Sequence, residues 1–330
     1  MSSIPLEIAQ PTLRLLVAIP CLNEASTIAD VVSHVPRNIA GVGRVDVLVV
    51  DDGSTDATSE EAKKAGAMIV RHSANRGVGR AFQSAVEFAV ERGYDMMVNI
   101  DGDRQFDPAD IPKLVAPLTS GAADMASASR FLDKSLTPDM PRVKLIGNRM
   151  MSWLISRLVR IQYSDVSCGF RCYTREALLR INLHGAFTYT QETFLDFSVK
   201  NIRIVEIPVK VTYFKDRESR VAGSLLNYAI NTAKIIFRGY RDYYPLRFFW
   251  FIAAGLALPG LILGIMFFAH FFLTGTFTGF LFAGLLSGFL SMLSVLFLLI
   301  GVVADMLDRV RSNQDRILYM LKKYRPRIDT

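Results

Sequence analysis

The chain has 330 residues, a formal charge of +7, 51% hydrophobic residues and a positive mean hydropathy of +0.26. That length allows one substantial domain plus a further element, and the apolar excess argues against an ordinary soluble enzyme. Its three cysteines (Cys21, Cys168, Cys172) give no disulfide framework, and without a second Cys or His pair they make no zinc site.

Residues 1–12 read as a loose lead-in. Residues 13–19 form a strand candidate ended by Pro20, and residues 24–35 a helix. The apolar run at 13–20 begins too late and ends too soon for a signal peptide, so a cytoplasmic N-terminal domain is expected. A second strand at 45–50 runs into Asp51 and Asp52, with Asp56 placed to cap a helix ending near Gly66. A short strand at 67–70, a helix at 77–92 closed by Gly93, and a strand at 96–100 follow. A helix at 108–118 and a strand at 124–128 complete an alternation that predicts a mostly parallel sheet covered on both faces. Beyond it the pattern loosens. It predicts a helix at 143–159, an irregular stretch at 165–174, a helix at 190–200 and an edge or returning strand at 202–213 containing Pro208.

The most informative stretch is MMVNIDGDRQFDP, residues 96–108. Asp101 and Asp103 follow an apolar strand with Gly102 between them, so two carboxylates can face one cation. Hard oxygen ligands suit Mg²⁺ or Mn²⁺. Asp107 and Pro108 read as a helix cap and first helical position. A strand, an acidic turn and a helix place charge at the C-terminal edge of a sheet, where α/β proteins bind ligands.

Residues 221–244 recur at helical spacing (Leu225, Ala229, Ile236, Phe237, Tyr240) and read as a helix lying on a membrane. From Phe248 to Ala304 there is no Asp, Glu, Lys or Arg. This block splits into spans at about 248–271 and 277–304, each longer than the roughly 20 residues needed to cross a bilayer. Gly260 with Gly264, and Gly284 with Gly288, offer small faces where the spans can approach. Basic residues flank both outer ends, including Arg238, Arg241, Arg247, Arg309 and Arg311, while the link at 274–276 carries none. The positive-inside rule then puts both termini in the cytoplasm, and the flanking charge points to anionic headgroups rather than nucleic acid. The charged helical tail at 305–330 can pack on the N-terminal domain or on another subunit of a homo-oligomer.

Five motifs carry a family resemblance: IPCLNEASTI (19–28), VVDDGSTDAT (49–58), NRGVGRA (75–81), DGDRQFDP (101–108) and SCGFRCY (167–173). In this order they resemble the inverting family 2 glycosyltransferases with the nucleotide-sugar-binding GT-A fold. More closely, residues 13–220 are similar to the polyprenyl-phosphate (dolichol- or undecaprenol-phosphate) glycosyltransferases, of the dolichyl-phosphate mannose synthase type with two C-terminal spans. The resemblance implies that Pro20, Asn23, Glu24, Asp51 or Asp52, Asn75, Gly77 and Gly79 line the nucleotide pocket. It implies that Asp101, Asp103 and Gln105 form the metal motif, with Asp103 the stronger ligand. Arg130 is expected near the sugar or diphosphate, and Ser167, Gly169, Phe170 and Arg171 on the acceptor side. Arg217, Ser219 and Arg220 resemble a basic phosphate loop. The expected partners are a nucleotide sugar, a polyprenyl phosphate and the membrane.

The expected reaction is one sugar transfer per turnover. A lipid phosphate is already ionised and needs no strong base. The polysaccharide-building relatives carry a Gln-x-x-Arg-Trp motif that this chain lacks, and here the corresponding base region reads Gln191–Glu192–Thr193. Glu192 remains a candidate orienting residue or base. The alternatives are transfer to another membrane lipid and an inactive membrane-tethered scaffold.

Overall fold

The computed structural model describes residues 12–182, 189–212, 237, 240, 241 and 244–324. The basic-loop residues Arg217, Ser219 and Arg220, and most of the amphipathic stretch at 221–244, lie outside them. The chain divides into two units, residues 1–230 with 319–330, and residues 231–318.

Strands β1 (Leu13–Cys21), β2 (Val42–Asp51), β3 (Met68–Arg71), β4 (Met96–Asn99), β5 (Met125–Ser129), β6 (Arg171–Thr174) and β7 (Ile204–Pro208) form one sheet in the first unit. Their order is β3-β2-β1-β4-β6-β5-β7. All pairs are parallel except those of β6, which runs antiparallel to β4 and β5. Strands buried on both faces need no alternation, which explains the nearly unbroken apolar runs of β1 and β2. The strand does not end at Pro20. Pro20 still pairs with Val50, while pairing with β4 stops at Ala18, so its missing N–H leaves no gap in the β4 ladder. In β7, Pro208 closes the pairing with β5 on an edge strand, as its chemistry demands.

Helices α1 (Ile28–Ser33), α2 (Thr58–Lys64), α3 (Val78–Glu91), α4 (Ile111–Thr119), α5 (Arg142–Val159), α6 (Arg175–Arg180) and α7 (Tyr189–Val199) join these strands. In α3, Ala81, Phe82, Ala85, Val86 and Ala89 recur at helical spacing and are buried. Asp107 accepts from the Ala109 amide at 2.9 Å, with Pro108 in first position of a short 3₁₀ turn before α4. The first helix is shorter than its sequence pattern, because Asn23 takes a positive φ of 55° and residues 24–27 form turns instead. The stretch expected to be irregular contains β6, whose four residues were too few to show a period.

In the second unit, α8 (Pro245–Thr274) and the part of α9 (Leu281–Tyr324) before Tyr319 are long and apolar enough to cross a membrane. Gly260 and Gly264 meet Ser287, and Gly284 meets the Phe267 ring. Gly288 does not belong to this seam, since a Cβ there would meet nothing within 4 Å. Ser287 donates to the Gly260 carbonyl at 2.7 Å and Ser294 to the Ala253 carbonyl at 2.8 Å. These bonds satisfy hydroxyls that hydrocarbon would leave without partners.

The end of α9 belongs to the first unit and packs on α6. Tyr319 donates to Glu176 at 3.0 Å, and the Lys322 ammonium donates to the Ile181 carbonyl at 2.7 Å. This answers for the last turns of the tail the choice that the sequence left open.

Candidate active site

The parallel register sets β1, β2 and β4 side by side, with Cys21 opposite Asp51 and Ala18 opposite Asn99. The acidic residues after β2 and β4 therefore emerge along one edge of the sheet. Asp101 and Asp103 are joined by Gly102, whose added Cβ would stand 2.6 Å from Cys21 Sγ. The turn thus lies directly on the end of β1. Thr27 Oγ1 fastens it by donating to the Gly102 carbonyl at 2.9 Å, and the same hydroxyl stands 2.9 Å from Glu24 Oε2.

Burial, then the Asp103 charge, pushes the Asp101 carboxyl up to about 7, against the opposing pull of Arg130 and Arg171; Glu24 adds to the rise. The two guanidinium groups thus do not offset burial and the second carboxylate. Among the described residues no group of three His, Cys, Asp or Glu side chains closes around a metal. Two hard oxygens without a full protein cage fit Mg²⁺ or Mn²⁺, which keep water and phosphate in their remaining positions. Asp103 Oδ1 also accepts from the Gln105 amide at 3.0 Å. Gln105 lines a cavity of about 600 Å³ with Asp30, Arg104 and Lys210, whose wall includes neither Asp101 nor Asp103.

The expected nucleotide wall is knit together by its own side chains. Asn23 Oδ1 accepts from the Thr55 amide at 2.8 Å, and the Glu24 amide donates to Thr58 Oγ1 at 2.8 Å. Asp52 accepts from the Arg76 amide at 3.0 Å, the Gly77 amide at 2.7 Å and His72 Nδ1 at 2.6 Å. Asn75 Oδ1 shares the Gly77 amide at 2.9 Å. Gly53 must be glycine, because its φ is +79° and a Cβ would stand 2.6 Å from the Ala74 carbonyl carbon. Pro20 is buried in β1, Gly77 is the residue before α3, and Gly79 is buried within that helix.

Asp51, one of the two alternatives for a base or ribose contact, is turned inward. It is 0% exposed, and its oxygens accept from the Ser54 amide and the Ser59 hydroxyl beside Arg71. Burial opposes its charge, but the Ser54 and Ser59 bonds prevail and hold its carboxyl below the usual range.

On the other side, Gly169 lies against the acidic turn; a Cβ there would stand 3.3 Å from Asp101 Oδ2 and 2.9 Å from the Tyr189 hydroxyl. Ser167 Oγ accepts from Gln191 Nε2 at 3.3 Å, which brings α7 to this side. Phe170 and Arg171 do not border an open acceptor surface. Both are 0% exposed: Phe170 packs on Phe106 with centroids 5.3 Å apart, and the Arg171 guanidinium sits 4.8 Å over the Phe194 ring. Their bulk fills the core behind the turn.

Arg130 is held by a bidentate pair with Asp165, at 2.6 and 2.8 Å. Glu206 in turn accepts from the Ser164 and Asp165 amides at 2.8 and 2.7 Å. Lys144, on the first turn of α5, joins this cationic side. Burial and then the Arg130 charge push its ammonium down, while Asp103 pulls it back up. Neither Asp165 nor Lys144 was visible as a site residue, because each becomes informative only through the partner that folding brings to it.

Residues 16–181 match the profile described as Glycosyl transferase family 2. The chain is 26% identical over 231 residues to a polyprenol monophosphomannose synthase of Mycolicibacterium smegmatis, covering 67% of this chain and 86% of that protein. It is 27% identical over 232 residues to a UDP-N-acetylglucosamine--dolichyl-phosphate N-acetylglucosaminyltransferase of Methanococcus voltae, covering 64% of this chain and 91% of that one. Its fold is similar to glucosyl-3-phosphoglycerate synthase of Mycobacterium tuberculosis, solved with Mn²⁺ and UDP. The TM-score is 0.53 at 22% identity, covering 68% of this chain and 80% of that one.

Proposed function

The chain belongs to the family 2 glycosyltransferases, and from that premise we propose that it transfers one sugar from a nucleoside-diphosphate sugar to a polyprenyl phosphate in the membrane, with inversion. The observation that carries this reading is the acidic pair Asp101–Asp103 at the sheet edge, set within the field of Arg130 and Lys144. Such a site suits a diphosphate and its metal on one side and a second phosphate on the other. The two named relatives differ in sugar but share a polyprenyl or dolichyl acceptor in their names, and the two apolar helices would keep such an enzyme beside that lipid.

Asp101 and Asp103 would hold a divalent cation, which supplies charge neutralisation of the donor diphosphate. Arg130, fixed by Asp165, and Lys144 add positive potential where negative charge gathers on the leaving group. The acceptor phosphate oxygen forms a bond to the anomeric carbon as the bond from that carbon to the diphosphate breaks, releasing a nucleoside diphosphate. The acceptor oxygen brings its own charge, so no side chain must remove a proton. Glu192 then orients the sugar. Asn23, Glu24 and the 75–77 loop line the donor side. Arg217, Ser219 and Arg220 bind acceptor phosphate, and the catalytic domain and both termini are cytoplasmic.

The test is transfer by the purified full-length chain in detergent with Mg²⁺ or Mn²⁺, offering a polyprenyl phosphate against labelled UDP- and GDP-sugars. Labelled lipid that disappears with chelator, and in a folded Asp103→Ala variant, is the expected result. Transfer only to a non-phosphorylated lipid, or undiminished transfer by Asp103→Ala, would overturn the reading.

A further inference from the structure

Helix α5 carries large apolar side chains on both its faces. Its exposed face carries Ile146 (64% exposed), Met150 (45%) and Trp153 (64%), at spacings that stack them on one stripe. Its buried face holds Met151 and Ile155, each 2% exposed, beside the polar Asn148 and Ser152, 8% and 3% exposed. A helix packed on a soluble core buries its large apolar side chains and turns its amides and hydroxyls to water. On α5 the inner face is already filled and its Ser152 satisfied, with Oγ accepting from the Val166 amide at 3.2 Å, so the outer apolar stripe is in excess of what this core needs.

The charge on this face is one-sided as well. Arg149, Arg157 and Arg160 are exposed along the same stripe, and the helix from Arg142 to Val159 contains no Asp or Glu. Ile161, just past the helix end, is a further large apolar side chain left 46% exposed. A protein partner also accepts Trp, Met and Arg, and what sets this stripe apart is its one-sided charge on a helix without a carboxylate. A bilayer surface favours this composition: apolar side chains enter the headgroup–acyl boundary, Trp sits at that boundary, and arginines reach the lipid phosphates.

We propose that the outer face of α5 lies in the surface of an anionic phospholipid bilayer, with Ile146, Met150 and Trp153 inserted and Arg149, Arg157 and Arg160 paired to headgroup phosphates. This contact belongs to the first unit and does not depend on the two apolar helices or on the sugar-transfer reading. It places a membrane-binding face on the helix whose first turn carries Lys144. The same helix therefore joins the bilayer surface to the cationic side of the candidate site.

The chain contains only two tryptophans, Trp153 and Trp250, which makes the contact directly readable. The full-length Trp250→Phe protein is reconstituted into nanodiscs of phosphatidylcholine, with or without phosphatidylglycerol, and Trp153 emission is recorded. The expected result is blue-shifted emission, loss of most of the signal with lipids brominated near the headgroup end of the acyl chain, and protection from aqueous acrylamide. Charge reversal of Arg149, Arg157 and Arg160 together should reduce the lipid quenching and restore acrylamide access in the anionic discs. Water-like emission with full acrylamide quenching would overturn the proposal. Protection from acrylamide without quenching by brominated lipid would also overturn it, because it would put protein, such as a second copy, on the stripe. Circular dichroism of the triple variant separates a lost contact from a lost fold, and a folded variant that keeps the parent's lipid quenching refutes the role of the arginines.

Discussion

Replacing Gly102 by Ala tests how the acidic turn is seated. The new Cβ would stand 2.6 Å from Cys21 Sγ, 3.4 Å from Ile19 Cγ2 and 3.6 Å from Ile28 Cδ1. Carbon contacts are comfortable at about 3.5–4.0 Å, so only the sulfur is badly placed. Gly102 is not in the left-handed region, so Ala has no backbone penalty there and the clash decides the outcome. Cys21 is 4% exposed and cannot swing into water. Overpacking of this kind costs about 1–3 kcal/mol. The turn must move away from β1, carrying both carboxylates with it, and a shift on the order of 1 Å can cost roughly 100-fold in rate. Cys21→Ala removes the obstructing sulfur, so the double variant should recover stability and turnover beyond additivity, with a coupling of about 1–2 kcal/mol. The assay is a four-member cycle of thermal midpoints in detergent with sugar transfer measured on the same samples. A Gly102→Ala protein as stable and active as the parent would refute the reasoning. A double variant no better than the sum of the single changes would do so too.

Other perturbations reach other parts of the molecule. Asp165→Ala leaves the Arg130 guanidinium buried without its bidentate partner and should cost roughly 3–5 kcal/mol, read as a lower unfolding midpoint; an unchanged midpoint would show the pair to be idle. Asp124 is held below the usual carboxylate range first by the Arg203 side-chain hydrogen bond. Its contribution is therefore present above the unfolded carboxylate range and lost as pH falls through the lowered folded value. Asp124→Asn should be less stable than the parent at neutral pH and indistinguishable from it in strong acid, and a gap that widens on acidification would contradict the assignment. Burial pushes Cys168 up to about 12 and raises Cys21 and Cys172 as well, so a thiol reagent at pH 8 should label none of the three in the folded chain and all of them after denaturation. Fast labelling of any one of them under native conditions would show that the burial is wrong.

Much of the site was legible because it is local. An acidic pair after an apolar strand, the Asp107 cap with Pro108, and Asp56 beside Thr58 all express chemistry between neighbours in the chain. Sequence alone also determined the alternation of strands and helices and the two apolar segments, since period and hydropathy are properties of the chain itself. Tertiary structure decided what depends on distant partners. It turned Asp51 inward to Ser54 and Ser59, and sealed Phe170 and Arg171 in the core. It gave Arg130 its Asp165 and brought Lys144 into the same field. It also left Ile146, Met150 and Trp153 of α5 on the outer face while Met151 and Ile155 fill the inner one. The sequence carries each residue's charge and shape, but whether a charged group faces substrate, a protein partner or lipid depends on which desolvated positions the fold can satisfy, and only the packed chain settles that.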